Sequence, residues 1–169
     1  MQTMKAIETM LAVRSFNNKP VADEIVTRVV QAGRLTGSSM NQQAWDFVVI
    51  RDHDTLRQLG ESATTGAYIA AAQFAVAVIV PNSSVGIIDG TRASQDMMLA
   101  AWEEGIGSNW VGNVNHDAIK TLLNIPHERM VLTVIPFGYP DRTLGAGRKN
   151  RKPLNQVAHR ERFGKPYTG

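Results

Sequence analysis

The stretch Gly37-Ser38-Ser39-Met40-Asn41-Gln42-Gln43-Ala44-Trp45, running straight into Asp46-Phe47-Val48-Val49-Ile50-Arg51, decides the architecture. Upstream of it apolar residues recur at helical spacing, and from Trp45 they form a β-run. A helix therefore hands over to a strand across a polar loop. Two hydroxyls, several carboxamides and backbone N–H groups are gathered at that handover. Such a loop offers donors to a ligand rich in acceptors, for example a phosphorylated or heteroaromatic one. Gly, Ser and Asn are also the ordinary residues of a connection, so the residues alone leave a plain loop equally open.

Working outward, residues 23–35 read as a helix with Ile25, Val26, Val29 and Val30 on one face. Asp23 and Glu24 stand in its first turn, where the helix dipole favours acids. A first helix is expected over 3–13 from Met4, Ile7, Met10 and Leu11, ended by Asn17-Asn18-Lys19-Pro20. After the strand at 45–51, Asp52 can cap a helix over 53–62 that carries Leu56 and Leu59 inward. Residues 74–81 are a nearly continuous apolar run of strand length, which implies a central strand buried on both faces. Asn82 to Asp89 reads as loop. Residues 90–104 read as a helix whose apolar positions go almost all the way round, so it is buried, in the chain's own core or against a second subunit. Gly105 to Gly112 returns as a short glycine-punctuated strand. Asn115 can cap a helix to Leu123, and Met130 to Phe137 is another apolar strand. Alternating strands and helices give a layered α/β or α+β domain.

At 169 residues, 43% of them hydrophobic, the chain fits one domain with a real core. No apolar run approaches the roughly 20 residues of a membrane span, so no membrane partner is expected. The N-terminus lacks the apolar region of a signal peptide, which predicts a cytoplasmic protein. The absence of cysteine excludes disulfides, thiolate catalysis and cysteine metal sites. Four histidines, at 53, 116, 127 and 159, have no ligand spacing, so no metal is expected.

The net charge of +3 is unevenly divided. Residues 1–141 hold 10 Lys/Arg against 14 Asp/Glu, a balance of −4. Residues 142–169 hold Arg142, Arg148, Lys149, Arg151, Lys152, Arg160, Arg162 and Lys165 against Glu161 alone, a balance of +7. A basic tail on a mildly acidic body suggests an anion to be gripped: a ligand phosphate, a nucleic acid or a neighbouring subunit. The alternative is solvated charge with no partner. Only Phe163 and Tyr167 lie near those charges and no RNA- or DNA-binding motif occurs, so nucleic acid is not expected.

In the order of its pieces the chain resembles the nitroreductase family of FMN-dependent, NAD(P)H-oxidising enzymes, in its short form. The resemblance is carried by Val13-Arg14-Ser15-Phe16 with Lys19-Pro20-Val21, by the loop from Gly37 to Trp45 leading into Phe47 to Asp52, and by Gln95 to Trp102. Gly105 to Ser108, Phe137 to Pro140 and Arg151-Lys152-Pro153-Leu154 complete it. These segments run nearly end to end. The resemblance implies an α+β fold with a central mixed sheet flanked by helices, an intertwined homodimer, and two FMN sites at the interface. It also implies a single nitroreductase-like domain over 1–141, with 142–169 a basic extension of it that packs on the partner subunit. In two places the chain departs from the family. Met10-Leu11-Ala12 stand where an arginine and serine for the FMN phosphate are usual, and Ala44 replaces a common proline. The first departure leaves more of the phosphate binding to the tail.

Carried over residue by residue, the resemblance places Arg14 near the flavin pyrimidine edge, where a fixed positive charge stabilises the reduced ring. Ser38, Ser39 and Asn41 match residues that reach the phosphate and ribityl chain, largely from the partner subunit. Gln43 matches a residue for the pyrimidine edge or for holding the loop. Val111 and Gly112 fall where a backbone N–H points at flavin N5, and glycine suits close approach of a flat ring. Lys149 and Arg151 match tail cations for the phosphate, the arginine able to bind it bidentately. Arg14 has an ordinary alternative as a surface arginine paired with a carboxylate. Trp45 and Met97-Met98 are expected in the core, and Asp96 as an interface or cap partner.

A flavin enzyme of this kind asks its protein to position, shield and tune the ring, so no residue is assigned acid–base work. The implied activity is hydride uptake from NAD(P)H and reduction of a nitroaromatic, quinone or similar small-molecule acceptor by a ping-pong cycle. The alternative is a weakly flavin-binding dimer of the same fold acting as a sensor or scaffold.

Overall fold

β2 (Phe74–Pro81) is the strand around which the layers form, buried at every position except Pro81. The computed structural model describes residues 3–144 and 149–168, so Arg148 of the basic tail lies outside the described residues. β1 (Asp46–Ile50) and β4 (Arg129–Gly138) flank β2, and β3 (Gly107–Ser108) lies beyond β4, in the order β1-β2-β4-β3. The ladders are antiparallel, with Val48 opposite Ala77, Val76 opposite Ile135 and Gly107 opposite Gly138. Among the described residues the parallel component of the sheet is one bridge, from Ala12 to Ser108.

Strand alternation sorts β2 between two apolar layers. Phe74, Val76, Val78 and Val80 pack with Val26 and Val29 of α2 (Asp23–Leu35) and with Ala93 and Met97 of α4 (Ser84–Glu103). Ala75, Ala77 and Ile79 pack with Leu56 and Leu59 of α3 (His53–Glu61) and Ile119 of α5 (His116–Leu122). Burial on both faces explains the unbroken apolar run, although such runs are more usual in parallel sheets. The α+β class therefore stands. Trp45 and Met97 are core, as expected, and Trp45 stacks on Phe47 at 6.3 Å between ring centroids.

Capping fixes α3 and α5 where the sequence placed them. The Asp52 carboxylate accepts from the Thr55 amide at 2.8 Å and the Thr55 hydroxyl at 2.7 Å. Those two donors hold its pKa below the ordinary carboxylate value. Asn115 accepts from the Ala118 amide at 3.1 Å.

Elsewhere the structure corrects the expected boundaries. α1 covers Thr3–Thr9 and not 3–13, because the following residues pair with the sheet and the Val13 N–H donates to Ser108 O at 2.9 Å. The stretch 82–89, expected as loop, is mostly helix. Ser83 caps α4 by accepting from the Gly86 amide at 3.1 Å. Its two glycines serve close packing on the sheet. A Cβ on Gly86 would lie 2.5 Å from Pro81 O, and one on Gly90 would lie 2.6 Å from Val80 Cγ1.

Nor is α4 buried all round: Thr91, Arg92, Gln95 and Asp96 are exposed, as are Val85, Ile87 and Ile88. The strand expected over 105–112 contracts to β3 plus a bridge from Val111 to Val134. Two short elements were not foreseen, a 3₁₀ turn at Ala67–Ala71 and α6 at Leu154–Val157.

Candidate functional site

The loop after α2 is shaped by local hydrogen bonds and held by α4. Ser38 Oγ accepts from the Gln43 amide at 2.9 Å, and the Asn41 amide donates to Ser38 O at 3.1 Å. Met40, Asn41 and Gln43 have φ of 47°, 55° and 51°, the left-handed region. For a side chain other than glycine that region costs about 1–2 kcal/mol per residue, so contacts outside the loop must hold it. α4 supplies them. The Asp89 carboxylate, 1% exposed, accepts from the Ser39 amide at 2.9 Å, and the Thr36 hydroxyl donates to Asp96. Asp96 is thus a partner of the residue that ends α2. The Ser38 and Ser39 side chains are half-buried, and Asn41 and Gln43 are exposed.

A second cluster forms where the N-terminal segment meets the end of β4. Phe16 bridges Pro140, the Asn17 amide donates to Tyr139 O at 2.9 Å, and Ser15 Oγ donates to Asp141 at 2.5 Å. Arg14 sits within this zipper at the mouth of a cleft of about 180 Å³, with Val13, Ser15, Pro140 and Asp141 also lining it. Arg14 is exposed, and among the described residues no carboxylate pairs with it. The ordinary alternative for Arg14, a surface ion pair, is thus not found among the described residues.

Val111 is buried, and its backbone is already committed. Its N–H donates to Val134 O at 3.2 Å, and its carbonyl accepts from the Val134 amide at 3.1 Å and the Thr133 hydroxyl at 3.0 Å. Of the pair expected to offer an N–H, Gly112 is the residue left to do so. The half-buried Tyr68 accepts from the side-chain amide of Asn109, three residues before Gly112. Tyr68 belongs to the unforeseen 3₁₀ turn, and only an aromatic in an unassigned segment could have signalled it.

The tail brings one cation, Lys149, to α1. Lys149 donates to the Ile7 carbonyl in the last turn of α1, a favourable place for a cation. It thereby stands near Met10 and Leu11, the positions without an anion-binding side chain. Arg151 is exposed and donates to Asn150 O at 3.0 Å. Among the described residues no three metal-ligating side chains gather. No described helix is long and apolar enough to cross a membrane.

The two clusters hang on different parts of α4, the loop on Asp89 and Asp96 and the N-terminal segment on Trp102 near its end. The loop is bound at Asp89, while Trp102 Nε1 donates to Thr9 of α1 at 3.0 Å, next to the Arg14 segment. At about 1.5 Å per residue, those two points are roughly 20 Å apart along the helix.

Comparison with known proteins settles what this arrangement belongs to. The sequence model of the nitroreductase family matches residues 11–93 and 81–139. The chain belongs to the nitroreductase family. A protein of Archaeoglobus fulgidus named NADH dehydrogenase/NAD(P)H nitroreductase is 31% identical over 149 residues, 82% of this chain and 86% of its own. The NADPH-flavin oxidoreductase of Vibrio harveyi is 29% identical over 179 residues, 93% of this chain and 74% of its own. The crystal structure of a Parabacteroides distasonis NADH dehydrogenase/NAD(P)H nitroreductase superposes with a TM-score of 0.87 at 26% identity, covering 96% of this chain and 99% of that one.

The donor set of this nitroreductase-family chain fits an FMN-like ligand. It combines a cation with no ion pair among the described residues (Arg14), hydroxyl and amide donors on a loop, and two tail cations, which suits an anionic, acceptor-rich molecule. No single cluster holds all of these.

Proposed function

We propose that the chain forms a homodimer that binds FMN, oxidises NAD(P)H, and reduces nitroaromatic, quinone or similar small-molecule acceptors by a ping-pong cycle. The observation that carries this is Arg14, exposed at a cleft mouth with no carboxylate partner among the described residues, in a chain of the nitroreductase family. When bound, FMN supplies the redox chemistry by accepting a hydride and passing electrons to the acceptor. The protein's own part is to bind, orient and tune. Arg14 holds a positive charge where the reduced ring gathers negative charge. Ser38, Ser39, Asn41 and Gln43 donate to the phosphate, ribityl chain and pyrimidine edge, Gly112 offers a backbone N–H, and Lys149 and Arg151 neutralise the phosphate.

The same geometry supports a dimer. With the loop and the Arg14 segment held at different parts of α4, a two-fold contact that runs two α4 helices antiparallel brings one chain's loop to its partner's Arg14. Exposed Val85, Ile87 and Ile88 on α4 support such a contact. Leu154, Val157, Phe163 and Tyr167 are exposed on the 142–169 extension, an apolar set that a second subunit would cover. A cytoplasmic location belongs to the same proposal.

The test is a spectrum and a titration. Protein incubated with FMN and passed through a desalting column is expected to keep the flavin absorbance, lose it on anaerobic addition of NADH or NADPH, and regain it with a quinone. Light scattering at micromolar concentration is expected to give the dimer mass. A colourless monomer after this treatment refutes the reading.

A further inference from the structure

Asp89 is a carboxylate that neither the core nor the proposed chemistry accounts for. It is 1% exposed in the N-terminal half of α4, between glycine positions that seat the helix on β2. Its nearest cation is Arg92, whose guanidinium is 3.9 Å away and itself largely exposed. Its short contact is to the Ser39 amide, at 2.9 Å. A buried charge whose best partner is a backbone N–H costs more than a neutral side chain would, unless that N–H must be held. The N–H in question opens the turn Ser39–Asn41, directly before the left-handed residues.

We infer that Asp89 is a positioning residue for the flavin: it fixes the Ser39 amide and so keeps the loop 38–43 in its binding shape before ligand arrives. Asp96, which accepts from Thr36 at the loop's start, holds the other end. The inference rests on the reading above that this loop touches FMN. Preorganisation of this kind acts on affinity, because a loop that must be ordered on binding takes the ordering cost out of the binding free energy.

The experiment compares Asp89→Ala and Asp89→Asn with the wild type in three measurements. These are the FMN dissociation constant by flavin fluorescence at concentrations where each variant is dimeric, amide hydrogen exchange of the apoprotein, and the apoprotein melting temperature. Asp89→Ala is expected to weaken FMN binding at least about tenfold, the loss of one charge-assisted contact. Amides of 36–43 are expected to exchange faster, while those of β2 and β4 stay protected. Asparagine keeps an acceptor for the Ser39 amide and is expected to restore most of the affinity. Wild-type affinity in Asp89→Ala overturns the inference when its loop amides are unchanged. So does a loss of affinity accompanied by faster exchange throughout the core, which is a merely structural role. Faster loop exchange with unchanged affinity sinks the flavin contact of the loop, and no FMN binding by the wild type sinks the functional reading itself. If Asp89→Ala does not fold, Asp89→Ser takes its place, keeping a small polar side chain at 89 that is one atom too short to hold the Ser39 amide. The same pattern is then expected, and unchanged affinity and loop exchange overturn the inference.

Discussion

Gly107→Ala tests how the N-terminal segment is seated beside the site. A Cβ at 107 would lie 2.4 Å from Val13 Cγ2 and 2.5 Å from Val13 Cβ, well inside contact distance. Val13 is 4% exposed and β-branched, so it cannot swing aside about χ1. The backbone must give instead, against the 2.9 Å bond from the Val13 amide to Ser108 O. Overpacking of this sort costs about 1–3 kcal/mol. Replacing glycine recovers about 0.4–1 kcal/mol by restricting the unfolded chain. The steric term wins, leaving a net loss of about 1–2 kcal/mol, or roughly 2–8 °C in melting temperature for a domain of this size. Because Val13 precedes Arg14, FMN affinity is expected to fall with it.

A double-mutant cycle isolates the cause. Val13→Ala alone removes two buried methyl groups, worth about 1.6 kcal/mol before any cavity cost. In the double variant the Cγ contacts at 2.4 and 2.8 Å are gone, while the Cβ of residue 13, 2.5 Å away, still opposes the new methyl, so the clash is relieved in part. The two substitutions should therefore cost less together than their sum, by more than about 0.5 kcal/mol. Urea unfolding of the apoprotein, at one fixed protein concentration, measures each corner. Additivity within about 0.5 kcal/mol would mean that Val13 does not oppose the methyl, and the seating argument fails.

Three further outcomes follow from the site. Arg14→Ala is expected to lower the potential of bound flavin and slow its reduction by NAD(P)H, with a small effect on folding; an unchanged potential with FMN bound places Arg14 away from the ring. Arg151→Ala is expected to weaken FMN binding by about tenfold in the intact dimer, and Leu11→Arg to tighten it by adding a cation beside Lys149. Equal affinities for wild type and Arg151→Ala, at concentrations where both are dimeric, refute the phosphate role of the tail. Asp52→Ala is expected to lower the melting temperature at neutral pH. Because hydrogen bonds from Thr55 depress the folded-state pKa, that contribution is present above the unfolded value and lost as pH falls through the folded one. The gap between variant and wild type should therefore close in strong acid, and a gap that persists there rules out the charge-dependent cap.

What the sequence made legible was local chemistry. The apolar run of β2 and the caps Asp52 and Asn115 are each dictated by residues within a few positions, and all three hold. The rest depends on contacts distant in sequence. Gly86 looks like a loop residue because its packing against the end of β2 is tertiary. The pairing of Val13 with Ser108 overrides a helical period that ran on past Thr9. Val111 was a plausible donor until its partner Val134, on β4, became visible. Asp89 was hidden for the same reason, since its partner is a backbone amide fifty positions away.

The loop that organises the sequence is not what organises the site. Three residues in left-handed conformations do not hold themselves in place, and the carboxylates that hold the loop both belong to α4. The same helix receives α1 at Trp102 and lies on β2 through Gly86 and Gly90, so its depth on the sheet sets the height of both clusters at once. Its solvent side then carries two kinds of residue, the apolar Val85, Ile87 and Ile88 and the polar Arg92, Gln95 and Asp96. A helix that was only core filler would have no need of a buried carboxylate at 89. One that was only an interface would have no need of glycines where it meets the sheet. α4 carries both because, in the proposed dimer, the distance between the loop of one chain and Arg14 of its partner is fixed by this one rigid element.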